Sequence, residues 1–79
     1  MSFWNESKYN YKSISNEKGI VLIILVSSLN RKDLIEWLEW NDSNGIYNDE
    51  ASLREFGKVM SRDEGVEIML RQIIEGQGE

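Results

Sequence analysis

Seven consecutive aliphatic residues, Ile20 to Val26, constrain the fold of this 79-residue chain more than any other feature. A run without a polar position must be covered on most of its surface, as a strand buried on both faces or as a helix buried all round. The apolar positions extend to Leu29, and this length favours a helix. The sequence therefore predicts a core helix here, with Ser15 or Asn16 as its N-cap and Glu17 in its first turn.

A β-hairpin is the alternative for the same region. Residues 16–19 read Asn-Glu-Lys-Gly, which resembles a four-residue hairpin turn with glycine at the position of positive φ. Such a turn would pair residues 9–15 with residues 20–27. A strand with two apolar faces needs neighbours on both sides, however. The chain offers only one candidate neighbour, the polar segment 9–15.

Three further helices follow from local signals. Asn30 can cap a helix that begins at Arg31, with Asp33 in its first turn and a turn-forming segment at 42–45 after its end. Its apolar stripe contains Leu34, Trp37 and Leu38.

The second half of the chain carries two more helix signatures. Asn48 or Asp49 can cap a short helix that Gly57 ends, and residues 61–64 read as a capping box. A regular amphipathic stripe follows the capping box, and Gly76 and Gly78 are expected to end that helix. The members of the stripe are Val66, Met69, Leu70, Ile73 and Ile74.

These elements predict an all-α fold, a compact bundle of three to four short helices with an N-terminal arm. The chain is too short for two domains of usual size, so residues 1–79 are expected to form one domain, with an arm over 1–15 and a helical core over 16–79. The arm is expected to be either loose or laid over the domain. The alternative fold is α+β, with a hairpin at about 9–27 packed on three helices.

The absence of histidine, cysteine and proline limits the possible chemistry. Disulfides, Cys/His zinc sites, haem, iron–sulfur clusters and Ser-His or Cys-His catalysis are all excluded. No glycine-rich phosphate loop occurs either. We therefore expect a protein that is not an enzyme and has no cofactor, and a chain without cysteine fits a reducing cytoplasm.

Charge is unevenly distributed along the chain. Residues 1–32 carry five basic and two acidic side chains, a net of +3, whereas residues 33–79 carry four basic and twelve acidic ones, a net of −8. An acidic chain lacks the clustered lysine and arginine that bind a phosphate backbone, so direct nucleic-acid binding is disfavoured. The apolar run is far shorter than the roughly 20 residues of a membrane helix, so a core element is favoured over a signal or membrane anchor.

The segment 40–51 resembles the calcium-binding loop of the EF-hand family at three positions. With Gly45 aligned on that family's glycine, Asp42 and Asn44 fall on ligand positions. Trp40 and Ala51 then occupy the positions that should hold an aspartate and a bidentate glutamate. We expect no metal, and a turn in which Gly45 takes the left-handed conformation. A non-standard calcium site would use Asp42, Asn44, Asp49 and Glu50.

Two carboxylate pairs have the spacing of general acid and base on a helix, Glu36 with Glu39 and Asp63 with Glu67. Such chemistry requires a cleft that holds substrate between carboxylates of shifted pKa. A helical domain of this size rarely offers one. The pairs are therefore expected to be solvated acidic faces.

Aromatic residues carry the functional signal that is left. Trp37 neighbours Leu34 and Leu38 on the stripe and is expected in the core, whereas exposed tryptophan and tyrosine are typical anchors of protein interfaces. The partner-binding candidates are Trp40, Tyr47, Trp4, Glu36 and Glu39.

The expected function is that of a small acidic, non-enzymatic protein that binds or regulates another protein, or associates with itself. Three alternatives remain open. The first is a DNA-mimicking inhibitor of a nucleic-acid enzyme, the second a calcium-responsive helix-loop-helix module, and the third a structural homo-oligomer with segment 20–26 at its interface. The carboxylates that would imitate phosphates are Glu36, Glu39, Asp42, Asp49 and Glu50.

Overall fold

Four helices of eight to sixteen residues and two single helical turns make up the structure, a computed structural model that describes residues 3–6 and 8–77. In chain order they are α1 (Phe3–Glu6), α2 (Tyr11–Ile14), α3 (Gly19–Ser27), α4 (Arg31–Asn41), α5 (Asp49–Phe56) and α6 (Arg62–Gln77). The predicted all-α bundle is confirmed. The described residues contain no strand, so the alternative with a hairpin at 9–27 is wrong.

The apolar run forms α3, but this helix begins later than predicted. Its N-cap is Lys18, which makes no side-chain capping bond, rather than Ser15 or Asn16. Those two residues instead end α2, since their backbone N–H groups donate to the carbonyls of Lys12 and Ser13. Gly19 opens α3 with a φ of +62°, a conformation that glycine adopts without a steric penalty.

The caps of the later helices are confirmed. The side-chain oxygens of Asn30 and Asn48 accept the N–H groups of residues three further on, at 2.9 and 2.8 Å. Ser61 and Glu64 form the capping box, whose hydrogen bonds to the carboxylate lower the pKa of Glu64. Gly57 closes α5 with a φ of +76°.

The end of α6 differs from the prediction. Gly76 lies inside the helix, which continues to Gln77, and Gly78 lies outside the described residues. The Gln77 amide donates to the carbonyls of Ser15 and Glu17, each at 2.7 Å. This long-range contact holds the last turn of α6 against the segment that leads into α3.

Helix α6 is the central element, because both α3 and α4 pack against it. Trp37 is only 1% exposed, which confirms the prediction that it lies in the core. The core draws on the arm, on α3, α4 and α6, and on the connecting segments. Its apolar members are Ile14, Leu22, Val26, Leu29, Leu34, Trp37, Leu38, Tyr47, Met60, Met69 and Ile73.

The described residues of the N-terminal arm, 3–6 and 8–15, lie over α4. The backbone N–H of Phe3 donates to a carboxylate oxygen of Asp33 at 3.3 Å, and the Trp4 indole donates to the Asp33 carbonyl at 3.1 Å. The Trp37 indole in turn donates to the carbonyl of Tyr11 at 2.8 Å, and Ile14 is fully buried. Of the two expectations for the arm, a segment laid over the domain is the one observed.

Gly45 has a different role from the predicted one. Positive φ values occur at Gly19 and Gly57 among the described glycines, so a left-handed Gly45 is wrong. The position instead leaves space for a neighbour, because a Cβ there would overlap the Tyr47 ring. That ring is fixed by hydrogen bonds of its hydroxyl to Asp42 and Gln72.

Gly45→Ala is expected to lower the free energy of unfolding by about 1–3 kcal/mol, because the new methyl group displaces a buried ring. Urea denaturation followed by circular dichroism measures the change. Gly76→Ala is the matched control: an added Cβ meets nothing there, and alanine favours a helix by about 1 kcal/mol over glycine. A Gly45→Ala variant as stable as the original chain would contradict the steric explanation.

Candidate functional site

Five aromatic rings form a continuous series that leads from the arm to the surface of α4. The ring centroids of Phe3 and Trp4 are 4.9 Å apart, those of Trp4 and Tyr11 4.9 Å, and those of Tyr11 and Trp40 5.4 Å. Trp40 also lies 6.2 Å from the core residue Trp37. The outer end of the series is therefore anchored to the core through successive ring contacts.

Trp40 is the exposed member of this series, with 50% of its surface open to solvent. Glu36 lies on the same side, where its carboxylate accepts the Tyr11 hydroxyl at 3.4 Å. Glu39 precedes Trp40 in the chain and accepts the Asn48 side-chain amide at 3.3 Å. We call Trp40, Tyr11, Glu36 and Glu39 the Trp40 patch.

The surroundings of the Tyr11 hydroxyl, within the Trp40 patch, favour its protonated form. Burial raises the pKa of Tyr11, and the nearby negative charges of Glu36 and Asp33 raise it further. Tyr11 thus remains a neutral donor that fixes the Glu36 carboxylate beside the indole of Trp40. The arrangement presents a rigid aromatic surface with negative charge next to it.

The two other candidates are less accessible. Trp4 is half-buried, and its indole N–H is used by the Asp33 carbonyl. Tyr47 is 8% exposed; its hydroxyl donates to Asp42 at 2.8 Å and accepts from Gln72 at 3.0 Å. Burial raises the pKa of Tyr47, and the hydrogen bond to Asp42 raises it further. These contacts assign Trp4 to the attachment of the arm and Tyr47 to the core.

The acidic loop residues considered for calcium are engaged in other contacts. Asp42 accepts the Tyr47 hydroxyl, and Asp49 forms an ion pair with Arg31. Glu50 lies 3.9 Å from Arg54, one turn along α5, and Asn44 is exposed. Within the described part of the chain, no three acidic side chains come together as a metal site.

The carboxylate pairs considered for catalysis have surface surroundings rather than a shared cleft. Glu36 and Glu39 bond to different partners, and the side chain of Asp63 is 97% exposed beside Arg62. A polar cleft of about 320 Å³ beside Trp37, Asn41 and Gln72 has no carboxylate among its lining residues. A second cleft, of about 230 Å³, lies beside Phe56, Met60 and Ile68 and has one, Glu64.

Exposed aliphatic residues on α3 form a second surface feature, on a segment that the sequence favours as core and that only the homo-oligomer alternative places at an interface. The run was predicted to be core, yet Leu22 and Val26 are buried while Ile20 is 72% and Ile24 61% exposed. We call the exposed side chains of Ile20, Val21, Ile23 and Ile24 the α3 face. Because α3 packs against α6 on one side, only that side is buried. Every residue of the run is aliphatic, so the opposite side of α3 is apolar as well. A smaller exposed group lies on and just after α5 and comprises Leu53, Phe56 and Val59.

Comparisons with protein-family models, curated proteins and solved structures found no match for this chain. Within residues 3–6 and 8–77, none of the helices has the length and apolar character needed to cross a membrane. The candidate site therefore rests on the geometry of the chain itself.

Proposed function

We propose that this protein is a non-enzymatic binding protein that recognises a basic segment of another protein through the Trp40 patch. The observation that carries the proposal is the half-exposed indole of Trp40, held against Tyr11 with carboxylates beside it. Tryptophan is enriched among the residues that contribute most to protein–protein affinity. An indole fixed before binding also loses little conformational entropy on binding.

The charge of the Trp40 patch selects the partner. A lysine or arginine side chain can bind the face of an indole through a cation–π contact and a neighbouring carboxylate through an ion pair, and both contacts favour binding. Glu36, one turn before Trp40 on α4, and Glu39, directly before it, are the carboxylates available for that ion pair. The net charge of −8 over residues 33–79 would also accelerate encounter with a basic surface.

The rival functions have less support. A DNA mimic would present its carboxylates freely, but Asp42 is bonded to Tyr47 and Asp49 to Arg31. The same two contacts compete with calcium coordination in the loop. Protein binding requires only the exposed groups that the Trp40 patch provides.

The test is affinity capture from the cell of origin, followed by binding measurements with each captured protein. Trp40→Ala is expected to weaken the affinity for the true partner by about 100-fold, as for a central interface tryptophan. Glu36→Gln combined with Glu39→Gln should slow association by about tenfold and reduce its dependence on salt. Surface plasmon resonance at two salt concentrations measures both effects.

Matched controls separate the Trp40 patch from the rest of the surface. Phe56→Ala removes an aromatic residue of α5 that is more exposed than Trp40, and Glu55→Gln with Glu75→Gln removes two exposed charges elsewhere. Both variants should bind as the original chain does. The proposal fails if every captured protein binds Trp40→Ala with unchanged affinity, or if association is independent of salt.

A further inference from the structure

We infer that the α3 face binds the same face of a second copy of this chain, with the two α3 helices antiparallel about a two-fold axis. This interface uses residues outside the Trp40 patch and does not rest on the proposed function.

The composition of α3 is the first argument. The helix reads Gly-Ile-Val-Leu-Ile-Ile-Leu-Val-Ser and contains no charged residue. Helices that are apolar on every side normally lie inside a protein, and α6 covers only the side that carries Leu22 and Val26. Ile20 and Ile24 lie on the side of α3 that faces away from α6, where a second copy of the chain would cover them.

Helix α6 extends the apolar surface next to α3. The two helices run antiparallel, because Arg62 at the start of α6 donates to the Leu29 carbonyl at 2.9 Å and Gln77 at its end contacts the Glu17 carbonyl. Ile74 is 57% exposed and lies one turn before Gln77, whose amide contacts the segment that leads into α3.

The area is sufficient for a dimer of moderate affinity. Ile74 and the four side chains of the α3 face expose on the order of 500 Å² together, so pairing would remove about 1,000 Å² from water. That value is at the lower end of specific interfaces, and contiguous apolar patches of this size on folded proteins are often functional. A self-complementary patch is what a two-fold dimer requires.

Exposed charges of opposite sign near the two ends of α3 are the basis for the antiparallel arrangement. Lys18 is exposed at the start of the helix, whereas Arg62 at its far end is followed by the exposed Asp63. Antiparallel pairing brings Lys18 of each copy to the end of the other copy that carries Arg62 and Asp63, where the Arg62 guanidinium is bound to the Leu29 carbonyl and Asp63 is the more exposed charge.

Sedimentation equilibrium of the full chain from about 1 to about 500 µM tests the inference, with an expected dissociation constant of about 10 µM. Ile20→Glu combined with Ile24→Glu should weaken self-association at least about 100-fold, because it buries charge at the interface. Leu53→Glu with Phe56→Glu is the matched control and should dimerise normally. Circular dichroism verifies that each variant is folded. An original chain that is monomeric at the highest concentration overturns the inference.

A charge exchange tests the antiparallel arrangement. Lys18→Glu or Asp63→Lys alone should weaken the dimer by about tenfold, and the two together should restore it to within about threefold. Failure of the double variant to recover overturns the arrangement. Binding of monomers to phosphatidylcholine vesicles, without self-association in solution, also overturns the inference. Trp40→Ala should leave the dimer unchanged, so failure here is distinguishable from failure of the proposed function.

Discussion

Trp37→Ala is expected to lower the free energy of unfolding by about 3–5 kcal/mol. Trp37 is 1% exposed and is among the largest fully buried side chains, so its removal leaves a cavity between α4 and the elements around it. Its indole also donates to the Tyr11 carbonyl at 2.8 Å, and that acceptor would lose its partner. A domain of this length has only about 4–12 kcal/mol of stability, so much of the variant would be unfolded.

Urea denaturation at one fixed protein concentration measures the loss at Trp37. Trp40→Ala is the matched control, because the same change on a half-exposed indole should lower the free energy of unfolding by less than about 1 kcal/mol. Trp37→Phe should give an intermediate loss, since phenylalanine fills most of the space but donates no hydrogen bond. Equal losses at the two tryptophans would contradict the division between core and surface.

Local chemistry explains why most of α4, α5 and α6 could be predicted. A cap acts within four residues, so Asn30, Asn48 and the pair Ser61–Glu64 mark helix starts without any knowledge of the rest of the fold. The stripe that contains Trp37 likewise separates it from Trp40, which lies three residues further on. Both the helix starts and the exposed tryptophan of the candidate site follow from such short-range patterns.

Contacts between distant parts of the chain explain what could not be predicted. The segment before α3 contacts Gln77, whose amide is 62 residues from the Ser15 carbonyl to which it donates. The burial of Tyr47 depends on Gln72, 25 residues away, and on the space left at Gly45. The exposure of the α3 face depends on how many sides of one helix its neighbours cover. No local pattern contains that information.

The position of the arm depends on contacts between distant parts of the chain, and it determines the geometry of the Trp40 patch. Trp4 is the partner-binding candidate that the sequence indicates within the arm, but the order of ring contacts, from Trp4 to Tyr11 to Trp40, is determined by the fold. Tyr11 supports Trp40 from one side and holds Glu36 with its hydroxyl. The orientation of the proposed binding residue therefore depends on the attachment of the arm to α4.

Asp33→Ala is expected to release the arm and to lower the free energy of unfolding by about 2 kcal/mol. The side chain of Asp33 is 2% exposed and accepts the Phe3 N–H at 3.3 Å, which is a hydrogen bond to a charged group. Chymotrypsin should then cleave the arm several times faster, since its aromatic residues become accessible. Urea denaturation and timed digestion give the two readouts.

Two variants show whether the effect of Asp33→Ala comes from the arm or from the end of a helix. Asp33→Asn keeps an oxygen acceptor and should retain more of the protection of the arm from digestion. Glu50→Ala removes an exposed acid from the first turn of α5 and should lose much less stability, because only its interaction with the helix dipole and with Arg54 is removed. If Glu50→Ala and Asp33→Ala lost the same stability and the arm stayed protected in both, Asp33 would act on α4 alone. The arm would then owe its position to its aromatic contacts, and Trp4→Ala would be the change that releases it.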